Sequence, residues 1–165
     1  MPLTTKELAN KARMTHGLIA HNAALADSCL YEAFHCFTGC KREVSRAIYF
    51  TLDAAPGHAA LVRRAAVASG ADAATVQLAI SLGEAVKNAI SHRNGFAHSF
   101  LLFHEDVLGI DDHIKFINPK NQASVRVTEL SLSAAEGESA AHLKKVSMAF
   151  QELCLKLGIP PEVAI

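Results

Sequence analysis

Residues 72–98 read DAATVQLAISLGEAVKNAISHRNGFAH. Val76, Ile80, Gly83, Val86 and Ile90 recur at three- and four-residue steps, the period of an amphipathic α-helix, and Asn94 and Ala97 extend the same stripe. Asp72 stands where an N-cap acceptor belongs. The stretch therefore predicts a long helix whose C-terminal end carries Ser91-His92-Arg93-Asn94-Gly95-Phe96-Ala97-His98, with its polar side chains gathered at one place.

Working outward, the N-terminal third has the same period. Leu8, Ala12, Leu18, Ile19, Leu25, Ala26, Cys29, Ala33 and Cys36 predict one long helix from Thr4 or Thr5 to about Thr38, bent at Gly17, with Gly39 as its C′ residue. Val44, Ile48 and Leu52 predict a second helix from Lys41 to Ala54, which Pro56-Gly57 ends. A short third helix carries Leu61, Ala65 and Ala68 before Gly70. On the C-terminal side, Ile114–Ile117 and Ser124–Thr128 alternate with period two about Asn118-Pro119-Lys120-Asn121-Gln122, which reads as a small β-hairpin or an extended excursion over residues 114–128. Ser133 and Glu136 have capping-box spacing, and Leu143, Val146, Phe150, Leu153 and Leu157 then form the stripe of a last helix up to Gly158-Ile159-Pro160. The expected fold class is all-α: one domain over residues 1–165, an antiparallel helical bundle of four main helices plus a short one, with the hairpin as an excursion.

Composition agrees with that reading. Half of the 165 residues are hydrophobic but only 6% are aromatic and none is Trp, and the many alanines suit close helix packing. The apolar run Phe100-Leu101-Leu102-Phe103 is too short to span a bilayer, and Met1–Asn10 carries Lys6 and Glu7 instead of a signal-peptide core, so no membrane partner and a cytoplasmic location are expected. Cys29, Cys36, Cys40 and Cys154 follow neither a CxxC nor a secreted disulfide pattern, so reduced thiols within helix packing are expected. Sixteen basic residues balance sixteen acidic ones, which argues against a global nucleic-acid-binding field. The balance is uneven, with eight Lys and Arg against five Asp and Glu over residues 1–64, and six against nine over residues 99–165.

Chemistry concentrates at the end of the fourth helix. Asn94 and His98, four apart, share a helix face, so the amide can hydrogen-bond one imidazole nitrogen and fix its tautomer. Arg93 and His98 stand about 140° apart and about 7.5 Å apart along the axis, so a ligand or a second subunit is needed to bring both to one purpose. Gly95 inside a helix costs about 1 kcal/mol relative to Ala, a cost that makes sense where another backbone comes close. The alternative ends the helix at Arg93, because Asn94-Gly95 is also a common turn dipeptide, and leaves His98 in a loop. In that reading Arg93 neutralises a helix C-terminus and His98 is a packing residue.

Arg93, Asn94 and His98 resemble the signature of the HEPN superfamily, an Arg followed by four to six residues and a His, commonly with a polar residue directly after the Arg. Glu84–Ile90 resembles the approach to that motif, and Ile48-Tyr49-Phe50-Thr51-Leu52 is similar to bacterial relatives. The resemblance implies a helical bundle and, in active relatives, metal-independent RNA cleavage at a dimer cleft. Arg93 would then hold the scissile phosphate, His98 would move a proton, and Asn94 would orient. It further implies a homodimer, an RNA substrate, a toxin or defence role, and a nucleotidyltransferase-type antitoxin as protein partner. A second implied reading is a non-catalytic module that binds a nucleotide or a protein. No cofactor or metal is called for. Glu32-Ala33-Phe34-His35 has the ExxH spacing of di-iron bundles, but Glu138 and His142 do not supply a second half-site. His16, His21, His35, Cys36 and Cys40 scatter over several helix faces, which argues against zinc. Gly-rich phosphate loops and GxSxG elements are absent.

Overall fold

A computed structural model describes residues 3–52, 55–97, 100–104, 113–117 and 124–160. Helices dominate it. The first, α1, spans Thr5–Thr38 and starts from a capping box, in which the Thr4 hydroxyl accepts from the Glu7 backbone N–H at 3.3 Å and Glu7 accepts from the Thr4 N–H at 2.9 Å. It ends at Gly39, whose φ of 57° is the left-handed turn that a residue without Cβ adopts freely. Gly17 lies inside this continuous helix.

The next two helices differ from expectation. The second, α2, stops early, at Arg42–Tyr49, and α3 spans Ala55–Ala68. The short helix is therefore the second and not the third. Pro56 does not end a helix but lies in the first turn of one, where its missing N–H leaves no intrahelical bond unmade. The orientation of α2 is also the reverse of its apolar pattern. Ser45 and Tyr49 are buried against α1, whereas Val44 and Ile48 are exposed, as is Leu52 just beyond the helix end. Polar anchoring explains the choice: the Arg42 guanidinium takes a two-point hold on Glu32 at 2.5 and 3.1 Å, His35 Nδ1 meets Ser45 Oγ at 3.0 Å, and the Tyr49 hydroxyl donates to Asp27 at 2.9 Å.

The fourth helix, α4, spans Ala73–Ala97 and leads into a three-stranded antiparallel sheet of β1 (Phe100–His104), β2 (His113–Ile117) and β3 (Ser124–Arg126), in that order. Phe100 pairs with Ile117 and Lys115 with Arg126. Period-two alternation points to strands only over residues 114–128. The apolar run Phe100–Phe103, which lacks that alternation, lies in β1 as well. The last helix, α5, spans Glu129–Leu157 with Thr128 as N-cap in a box with Ser131, five residues before the expected box at Ser133 and Glu136. Those two residues are used elsewhere: Lys11 donates to Ser133, and the Thr15 hydroxyl donates to Glu136.

Successive helices alternate in direction, so α1 and α5 lie side by side and parallel. Lys11 reaches Glu129, Thr15 reaches Glu136, and the Asn22 amide donates to Ser139 Oγ at 3.0 Å. Running the other way, α4 sets His92 beside Ala135 and Glu138, and Asp72, at its start, beside Lys156. The buried residues Leu30, Tyr49, Val62, Leu82, Val146 and Leu153 join all five helices in one cluster. Each fully buried Leu there contributes about 1.5–3 kcal/mol. A smaller cluster of Ala9, Ala12, Val127 and Leu132, with Phe96 against it, closes the end at which α4 stops and α5 begins. Among the described residues no helix is long and apolar enough to cross a membrane.

Candidate functional site

The end of α4 is helical through Ala97, so Asn94-Gly95 lies within the helix and not at a turn. Arg93 and Asn94 sit on its last full turn, and both line a cleft of about 590 Å3 between α1, α3 and α4. His98 lies outside the described residues, so its expected place beside Asn94 carries no geometry here. Of the sequence-derived trio, the structure brings Arg93 and Asn94 to one cleft.

The opposite wall comes from α1. His16, Ala20, Ala23, Ala24 and Asp27 follow helical spacing and lie along the cleft in that order, small residues between two polar ends. The rings of His16 and Phe96 lie 6.0 Å apart by centroid, which fixes the register of the two antiparallel helices. One turn before Phe96, Arg93 therefore stands near the level of Ala20. Pro56 and His58, from the start of α3, close the far end.

Asp27 and His58 form the most constrained polar group of the cleft. His58 Nδ1 lies 3.0 Å from Asp27 Oδ1, and its Nε2 lies 2.9 Å from the Leu52 carbonyl oxygen. Both neighbours are acceptors, so both contacts are hydrogen bonds only when each ring nitrogen carries a proton. Tyr49 completes the arrangement: its hydroxyl donates to the same Asp27 oxygen at 2.9 Å, and its ring stacks on His58 at 4.0 Å between centroids. Burial and the Asp27 charge push the Tyr49 phenol far above its ordinary range, so it stays a donor. Asp27 is thereby held in one rotamer by two donors on a single oxygen, and its other oxygen bonds to no described residue. Likewise, among the described residues the Arg93 guanidinium and the Asn94 amide make no hydrogen bond or ion pair.

His16, Asp27 and His58 were not part of the sequence-derived site. His16 and Asp27 had a signal, since they bracket small residues at helical spacing on one face of α1. His58 had none, because its partner is 31 residues away.

The other constellations resolve into packing. Glu32 and His35 are engaged by Arg42 and Ser45, and among the described residues no group of three or more His, Cys, Asp or Glu is placed to hold a metal ion. All four cysteines are free thiols, and burial pushes Cys29 up to about 11, away from the thiolate form that reacts. Gly95 is exposed, and among the described residues a Cβ added to it would meet nothing within 4 Å. Close packing falls at Gly83 instead, where a Cβ would stand 3.0 Å from that of Ala59 on α3.

No protein-family model, no curated protein and no solved structure matches this chain.

Proposed function

We propose that the chain is an HEPN-like protein that cleaves RNA without a metal ion. The observation that carries this reading is the opening of Arg93 and Asn94 into one cleft, with the guanidinium unpaired among the described residues. An unpaired planar fork of donors on a cleft wall suits the phosphate of an RNA strand, which accepts two parallel hydrogen bonds from it. In the reaction a ribose 2′-hydroxyl attacks the adjacent phosphorus, forming the P–O2′ bond and breaking the P–O5′ bond. His98 takes the proton from the attacking hydroxyl while water protonates the departing oxygen, or gives a proton to the departing oxygen while water takes that of the hydroxyl, and Asn94 orients the imidazole.

Helical spacing carried on from Arg93 to residue 98 would set the two side chains about 140° apart, so the reading includes a homodimer in which two α4 ends face each other. Among the described residues a Cβ on Gly95 would meet nothing within 4 Å, and a residue without one suits the approach of a second backbone there. A toxin or defence role, with a nucleotidyltransferase-type partner holding the activity in check, belongs to the same proposal. The deciding experiment is incubation of labelled RNA in EDTA with wild type, Arg93→Ala and His98→Ala. Cleavage by wild type that both substitutions abolish is the expected result, and equal or absent cleavage in all three removes the enzyme.

One observation favours a second reading, a non-catalytic module that binds a nucleotide. The cleft is walled by helices of a single chain, and its volume suits a small ligand better than a strand. The zero net charge points the same way, because affinity for long RNA normally draws on a surplus of Lys and Arg.

A further inference from the structure

We propose that the cleft binds a guanine nucleotide end to end, with its phosphate on Arg93 and the edge of its base on Asp27. The inference rests on the reading of Arg93 as a phosphate holder and adds which base the same cleft selects.

The two poles have opposite chemistry. At one end Arg93 is a cation without a partner among the described residues, with His16 across the cleft from it. At the other end Asp27 is an acceptor already fixed in place, since His58 and Tyr49 hold one oxygen and the second bonds to no described residue. An ionised carboxylate only accepts, so what it recognises is a donor. Between the poles the α1 wall is Ala20, Ala23 and Ala24, small side chains that leave space for a flat group.

Spacing selects the ligand class. Arg93 stands near the level of Ala20, and seven residues of helix separate Ala20 from Asp27, about 10 Å along the axis. A ribose hydroxyl lies too near the 5′-phosphate to bridge that span, whereas the outer edge of a base reaches it. Among the bases, guanine alone presents two adjacent donors on that edge, the ring N1–H and the 2-amino group. Adenine and cytosine place a ring acceptor beside their amino group, and uracil flanks its single N–H with two carbonyls. Set against Asp27, those acceptors are repelled.

Calorimetric titration of the full chain with 5′-GMP, 5′-AMP and inorganic phosphate tests the assignment. GMP is expected to bind at least about tenfold more tightly than AMP, the factor set by one hydrogen bond to a charged acceptor. Arg93→Ala is expected to weaken both nucleotides and phosphate. Asp27→Asn is expected to bring GMP to the level of AMP while phosphate binding stays unchanged. Where Asp27→Asn disturbs folding, as read by its melting curve, the GMP to AMP ratio of the wild type decides. Equal binding of GMP and AMP, or a GMP preference that survives Asp27→Asn, overturns the base assignment but leaves the phosphate role of Arg93 standing. Failure of all three probes to bind overturns both.

Discussion

His58 Nδ1 and Asp27 Oδ1 lie 3.0 Å apart across 31 residues of chain, and this contact ties the start of α3 to the middle of α1 at the end of the cleft opposite Arg93. Its surroundings decide what it is worth. His58 is 7% exposed and stacked on fully buried Tyr49, so water cannot replace its lost partners. The Asp27 side chain is 23% exposed, so its charge retains some hydration. His58→Ala is therefore expected to cost about 2 kcal/mol, below the range for breaking a fully buried pair. Tyr49→Phe, which removes one donor and keeps the packing, is expected to cost about 1 kcal/mol. Urea denaturation of the two variants beside wild type measures both, and a neutral His58→Ala would show that the contact does not hold α3 in place.

The glycines of α4 should respond in opposite ways. Gly83 sits where a Cβ meets Ala59 at 3.0 Å, so the branched side chain of Gly83→Val must push α3 away, an overpacking cost of about 2 kcal/mol. At Gly95 an added Cβ meets nothing within 4 Å among the described residues, so Gly95→Ala is expected to stabilise the isolated chain by about 0.5–1 kcal/mol through helix propensity. Thermal melts of both variants check the pair. A dilution series separates a destabilised chain from a weakened dimer, because only the latter depends on concentration.

The reversed face of α2 predicts an unusual tolerance. Ile48→Lys replaces a residue 41% exposed and is expected to change stability by less than about 0.5 kcal/mol. Ser45→Leu, on a residue with no exposed surface that bonds to His35 and Thr38, is expected to cost about 2 kcal/mol or more. The opposite ranking in chemical denaturation would mean that Val44 and Ile48 face the core after all.

Acid should loosen the start of α4. The Thr75 hydroxyl, the Thr75 backbone N–H at 2.7 Å and Lys156 hold the Asp72 carboxyl at about 2, below its ordinary 3.8. A carboxyl with a depressed folded value contributes stability above 3.8 and loses it as pH falls through about 2. Asp72→Asn is expected to flatten the melting temperature against pH between about 4 and 2, and an unchanged profile would mean that these contacts do not persist in solution.

His142 supplies a second pH dependence at milder acidity. Burial, then the nearby His92 and Lys145, lower it below its ordinary 6.5, with Glu138 opposing. Its ring lies 5.5 Å from that of His92, which itself meets the Ala135 carbonyl and Glu138. A histidine with a lowered folded value resists protonation in the native state, so stability falls as pH drops below 6.5. His142→Gln is expected to lessen that fall, as read by melts from pH 7 to 5.

Local information determined a good part of this molecule. The bounds of α1 were legible because the apolar stripe begins just after Thr4 and Gly39 signals a helix end within a few residues of itself. The stripe Val76–Ile90 gave α4 in the same way, and Arg93 and Asn94 could be named as neighbours because a helix makes them so. Only tertiary structure settled the rest. Asn94-Gly95 is both a helical pair and a turn pair, and the continuation of α4 beside α1, with Phe96 against the cluster of Ala9, Ala12, Val127 and Leu132, accompanies the helical choice. The pattern of α2 pointed Val44 and Ile48 inward, but polar anchors on Glu32, His35 and Asp27 outweigh two aliphatic side chains on an eight-residue helix. The cleft itself could not be read from the chain. Its residues come from three helices, and periodicity tells which face of a helix is apolar but not which helix will lie against it.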